Sequence, residues 1–216
     1  MDDFTFHWSE QTQQLYRLAS ASSIYQQFEP WLWQWQELAG QAPEDLQALD
    51  AILALEKLGG HKRQLPIAVI GPREATELEY QTAERLGYAL AKAQLQLLCG
   101  GKNGVMEASA KGHLAGGGRP IGLIPETEWQ QANPYISIPI ASGIGKARNV
   151  LIAQACPVLI AVGGGYGTMS EMAFGLHFEK LILALGEAPQ LPEVVYCADV
   201  DEVMHKLAEH LLTAML

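Results

Sequence analysis

The residue types best suited to chemistry cluster at 163–171, GGGYGTMSE. Gly163, Gly164, Gly165 and Gly167 follow the apolar run Val158–Val162 and precede Met172-Ala173-Phe174, an order that reads strand, loop, helix. Glycine lets a chain turn tightly and brings backbone N–H groups to a ligand with no Cβ between them. A helix starting at about Thr168 would aim its unpaired amides and positive dipole end at the same point. Such a loop, with Tyr166 and Thr168 in it, holds an anion, most often a phosphate. The dinucleotide fingerprint fails, because counting from Gly163 its last position is Thr168 and from Gly165 it is Ser170. Gly101-Lys102 is followed by Asn103, so it is no P-loop either. A mononucleotide or another phosphoester fits better than a dinucleotide or a magnesium-bound triphosphate.

Two cations, Lys146 and Arg148, stand at the expected start of the preceding helix, where positive charge is unfavourable by about 0.3–1 kcal/mol. Their placement suggests an anion opposite, although a solvated surface pair would look the same in sequence. Glu171 has two readings. Thr168-x-x-Glu171 matches a capping box, in which the carboxylate would return to the Thr168 amide. Alternatively the carboxylate does chemistry, and the nearby helix N-terminus would keep it ionised, suiting a base better than a proton donor.

These residues must be positioned by the chain around them. From residue 61 strand and helix signals alternate: strand 66–70, helix 77–93, strand 95–99, helix 104–115, strand 120–124, an irregular stretch with Trp129, Pro134 and Pro139, and a helix holding Lys146, Arg148 and Asn149. Strand 158–162, helix 168–178, strand 181–185, a short strand at 194–197 and a closing helix at about 200–215 follow. Continuous apolar strands alternating with helices predict an α/β fold, a doubly wound parallel sheet covered on both faces. Every strand-to-helix loop then lies at the carboxyl edge of the sheet. That rim gathers Gly71 and Arg73, Gly100, Gly101, Lys102 and Asn103, and the 163–168 loop. Lys146, Arg148 and Asn149 come to the same rim.

Residues 1–60 read as a mainly helical, Gln- and Trp-rich extension to a domain at 61–216. Pro43-Glu44-Asp45 looks like a helix start, Leu46, Leu49, Leu53 and Leu58 lie near one face, and Gly59-Gly60 ends it. The alternation of Trp31, Trp33 and Trp35 would also suit a strand. Of these tryptophans and Trp8, core or oligomer contact is the commoner use than ligand stacking.

Composition sets bounds. The chain of 216 residues carries a net charge of −10, of which −7 lies in residues 1–60. An acidic chain without a basic stripe excludes the usual nucleic-acid binder. No apolar run approaches a membrane span. Cys99, Cys156 and Cys197 are few, odd in number and set among apolar residues, which points to a reducing cytoplasm rather than disulfides. The six histidines offer no metal-ligand spacing, so no metal is expected.

GGGYGTMSE with its upstream arginine resembles the Lonely Guy (LOG)/SLOG superfamily of Rossmann-like nucleotide-binding proteins, whose signature is PGGxGTxxE. The resemblance covers about residues 65–205. It implies that Arg148 and Glu171 are catalytic if the chain is an enzyme, a phosphoribohydrolase splitting nucleoside 5′-monophosphates into free base and ribose 5-phosphate. Gly163 stands where the motif has proline, and Ala147-Arg148-Asn149 departs from the hydrolases' context. With Gly145–Asn149 and Cys99–Glu107, these departures look more like the branch of molybdenum cofactor carrier proteins. Carriage of that cofactor, or of a mononucleotide, is the implied function, with no cofactor of the protein's own. A homo-oligomer, dimer or tetramer, is expected from the resemblance alone.

Overall fold

The computed structural model describes residues 5–18 and 24–213. The chain divides into two compact units, Met1–Gln64 with His205–Leu216, and Leu65–Met204.

In the first unit the expectation of a mainly helical extension is corrected. Five strands, β1 (Phe6–Ser9), β2 (Gln14–Leu18), β3 (Tyr25–Glu29), β4 (Gln34–Glu37) and β5 (Gln47–Leu49), form an antiparallel sheet in the order β4-β3-β2-β1-β5. Trp8 pairs with Leu15 and Phe28 with Trp35, an apolar row that gives the sheet its apolar side. Two hairpin turns close on residues in the left-handed region, Gln13 and Trp33, both at φ 55°. Trp33 Nε1 donates to Arg63 O at 2.9 Å, and Trp35 Nε1 to Leu212 O at 2.6 Å. Buried Trp8 and Trp33 are therefore core, while Trp31 stays exposed on its turn.

The one α-helix among the described residues up to Gln64, α1 (Ala51–Leu58), starts later than Pro43-Glu44-Asp45 suggested. Asp50 is its cap, accepting from Leu53 N at 2.8 Å. Asp45 serves the sheet instead, accepting from Ser9 Oγ at 2.7 Å and Gln11 N at 3.0 Å. Gly59, at φ 52°, ends α1 as expected.

The second unit is the predicted parallel sheet. Its strands are β6 (Pro66–Ile70), β7 (Gln96–Cys99), β8 (Ile121–Ile124), β9 (Ile138–Ala141), β10 (Val158–Val162), β11 (Leu181–Leu185) and β12 (Val195–Tyr196), in the order β12-β11-β10-β6-β7-β8-β9. Every neighbouring pair is parallel. β9 was not foreseen in the irregular stretch; its Pro139 is tolerated because β9 is an edge strand.

The helices are α2 (Glu77–Lys92), α3 (Val105–Ala115), α4 (Arg148–Ala155), α5 (Tyr166–His177) and α6 (Val200–Thr213). The expected continuation of α6 to 214–215 lies outside the described residues. Right-handed connections place α2 and α3 on one face and α4 and α5 on the other. α2 and α3 pack through glycine. A Cβ on Gly112 would lie 1.9 Å from Glu84 O, and one on Gly87 2.0 Å from Ser109 O. From β6 the chain steps towards β9, then returns to lay β10 on the other side of β6. The direction of winding thus reverses between β6 and β10, where an open α/β sheet has its crevice.

Candidate functional site

Three loops meet at the carboxyl ends of β10, β6 and β7. A Cβ on Gly71 would lie 2.5 Å from Val105 Cγ1 and 2.7 Å from Val162 O. Val105 N donates to Pro72 O at 3.1 Å, so α3 starts against the loop after β6. The connection from β10 to α5 is Gly163, Gly164 and Gly165. Gly163 has φ +57° and Gly164 φ +137°, conformations that side chains disfavour. The Thr168 side chain lies beneath Gly164 and is 2% exposed.

α5 begins at Tyr166, two residues before the expected start, with Gly165 as its cap residue and no side chain capping it. A Cβ on Gly165 or Gly167 would meet nothing within 4 Å. The start of the helix thus faces open space, ready for an acceptor from outside. Tyr166 projects beside it, 92% exposed.

Behind this loop stands Arg148, the first residue of α4, buried at 6% exposure. Its Nη1 donates to Glu171 Oε1 at 2.9 Å and also to Asn149 Oδ1. Its Nη2 lies against Gly100, where a Cβ would come within 2.1 Å. Only a glycine at the end of β7 leaves room for that guanidinium. Arg148 Nε is buried with no hydrogen-bond partner, so the group is not fully satisfied by the protein. Asn149 Nδ2 donates to Ser170 Oγ at 3.0 Å, and Ser170 Oγ to Gly167 O at 2.7 Å. Together they tie α4 to the first turn of α5.

Two expectations about Glu171 are corrected. It does not close a capping box with Thr168, because the helix already starts at Tyr166; its carboxylate turns to Arg148 instead. Nor is it kept firmly ionised. Burial pushes Glu171 up to about 7, against the opposing pull of Arg148. The carboxyl can therefore carry or release a proton near neutral pH.

The other predicted site residues are distributed unevenly. Gly71, Gly100, Arg148, Asn149, Glu171 and the 163–168 loop are brought together. Lys102 is drawn off: its Nζ sits 2.9 Å from Glu126 Oε1 and donates to Gln131 O at 2.8 Å. Gly101, at φ +67°, lies over Ile124 at the end of β8. Asn103, Arg73 and Lys146 are exposed.

Sequence reading missed Glu126 and Glu79. Burial alone would raise Glu126, but its hydrogen bond from Lys102 holds it below the ordinary carboxylate value. Glu79 belongs to a true capping box with Thr76, a T-x-x-E spacing visible in sequence, and its other oxygen rests against Gly163. Among the described residues no group of three or more His, Cys, Asp or Glu could hold a metal ion. The three cysteines are free and buried, and no helix among the described residues is long and apolar enough to cross a membrane.

The family model described as SLOG cluster4 family matches residues 64–210. An uncharacterized protein of Archaeoglobus fulgidus is 42% identical over 121 residues, 56% of this chain and 80% of that protein. The cytokinin riboside 5′-monophosphate phosphoribohydrolase of Rhodococcoides fascians is 31% identical over 121 residues, 48% of this chain; the match spans 58% of that enzyme's length. Among solved structures, the molybdenum cofactor binding protein from Rippkaea orientalis superposes with a TM-score of 0.65 at 30% identity, covering 70% of this chain and 99% of that one. The molybdenum cofactor carrier protein of Chlamydomonas reinhardtii gives 0.64 at 31% identity, covering 70% and 100%.

Proposed function

The chain belongs to the SLOG cluster4 family, and we propose that it binds a phosphate-bearing small ligand at the β10–α5 loop, as a molybdenum cofactor carrier-like protein. The observation that carries this reading is the uncapped start of α5, open above Gly165 and Gly167. Amides in the first turn would hold the phosphate, as helix N-termini do. Asn149 and Ser170 fix that turn to α4, and Gly71 lets the neighbouring loop approach closely. The cofactor is cargo in this reading. Similarity to the two carrier-type structures supports it over other phosphoesters. The test is mass spectrometry and metal analysis of whatever co-purifies with the protein. A pterin phosphate with molybdenum supports carriage, and loss of that ligand in Gly167→Asp places it at the loop.

A second reading is favoured by one specific observation, the buried Arg148–Glu171 pair at 2.9 Å. A phosphoribohydrolase would hold a nucleoside 5′-monophosphate by the same loop. Glu171 would stabilise positive charge developing at the ribose C1′ or orient the attacking water. Arg148 would position the phosphate or ribose. Bond cleavage at C1′ gives free base and ribose 5-phosphate, with water supplying the new hydroxyl. Incubation with AMP and chromatography for adenine decides between the two. Adenine release that vanishes in Glu171→Gln establishes hydrolysis, and absence of release with a bound ligand leaves carriage.

A further inference from the structure

Glu79 is a carboxylate that the fold fixes against Gly163 of the glycine loop. It stands in the first turn of α2, which follows β6, while Gly163 follows β10; the two therefore flank the point where the winding reverses. The capping box sets its direction. Oε2 accepts from Thr76 N at 2.7 Å and from Thr76 Oγ1 at 3.0 Å. Oε1 lies where a Cβ on Gly163 would come within 1.7 Å, so it touches the loop backbone itself. Oε1 accepts no hydrogen bond from another described residue, and Glu79 is partly exposed. Gly163 and Glu79 are sterically matched. Any side chain at 163 would displace the carboxylate, and φ +57° is closed to the proline that the resembling motif carries there.

Resting on the proposed anion site, we propose that Glu79 is its specificity-determining residue. An ionised carboxylate is an acceptor only. At the wall of a crevice whose floor attracts phosphate, it rejects a second phosphate by like-charge repulsion and favours an uncharged hydroxyl or ring N–H beside the first. The ligand class is thereby narrowed to a phosphomonoester with a hydrogen-bond donor next to its phosphate, and pyrophosphate-bearing molecules are disfavoured.

The test uses the full chain with inorganic phosphate and pyrophosphate as probes, followed by the backbone amide shifts of residues 164–168 on titration. Glu79→Gln removes the charge yet keeps the capping box, since glutamine serves at that position as glutamate does. Glu77→Gln removes a neighbouring exposed charge on the same turn. The pyrophosphate-to-phosphate affinity ratio is expected to rise about tenfold in E79Q and to stay near the wild-type value in E77Q. Binding of phosphate with an unchanged ratio in E79Q, or an equal rise in E77Q, overturns the role of Glu79 alone. A wild-type chain whose loop amides respond to neither anion overturns the anion site, and the role of Glu79 falls with it.

Discussion

Gly100→Ala is the sharpest probe of the site's architecture. The new Cβ would stand 2.1 Å from Arg148 Nη2, 2.7 Å from its Cζ and 2.8 Å from Met106 Sδ. Ordinary contact requires about 3.4–4 Å, so the guanidinium must retreat by more than 1 Å. Its 2.9 Å bond to Glu171 cannot survive that shift. Overpacking costs about 1–3 kcal/mol, and losing a charge-assisted hydrogen bond in a buried place about 1.5–3 kcal/mol more. The expected loss is thus about 2.5–6 kcal/mol. In an Arg148→Met background the obstructing atoms are gone, Met106 is flexible, and the same substitution should cost under about 1 kcal/mol. The assay is a double-mutant cycle by urea denaturation. Hydrogen exchange of peptides from β10 and α5 reports the second unit by itself. An equal cost of G100A in both backgrounds would refute the claim that Gly100 exists to seat Arg148.

Glu171 gives a pH signature. Its folded pKa of about 7 exceeds the unfolded value of about 4.5, so its stabilising contribution is full below pH 4.5 and is lost as pH rises to about 7. The decline is on the order of 3 kcal/mol, and Glu171→Gln should abolish it in urea melts from pH 4 to 8. Lys62 has the opposite sign. Burial lowers it to about 8, so the first unit should gain stability as pH rises from about 8 to 10.5, a slope absent in Lys62→Met and readable by tryptophan fluorescence. Gly112→Ala forces α2 and α3 apart and should cost about 1–3 kcal/mol in thermal melts. Gly167→Ala, set in open space within α5, should instead add up to about 1 kcal/mol of stability while weakening phosphate binding, as calorimetry would show.

The second unit was legible because its strands are uninterrupted apolar runs such as Val158–Val162, and its loops are marked by glycine. The first unit was not. Its hairpins turn through Gln13 and Trp33 at positive φ, where sequence reading looks for glycine or asparagine. Asp45 was spent on Ser9 rather than on a helix, which no local pattern reveals. Within the site the same T-x-x-E spacing occurs twice with different outcomes. At Thr76 it is a capping box; at Thr168 the helix begins earlier and the glutamate pairs with Arg148 across 23 residues. The partners of Lys102 were not legible for a similar reason, since Glu126 and Gln131 sit in a stretch with no regular period.

The division of the chain at 64 and again at 205 has a consequence for synthesis. A ribosome delivers the small sheet first, and the buried Leu207, Ala208, Leu211 and Leu212, which belong to the same unit, only after residues 65–204. Trp35 waits for the carbonyl of Leu212 through the making of everything between. The nascent sheet must therefore remain unfinished while the parallel sheet is produced. Removing residues 5–64 or residues 205–213 alone would leave that unit incomplete, so the two stretches are expected to be kept, or cut away, as one.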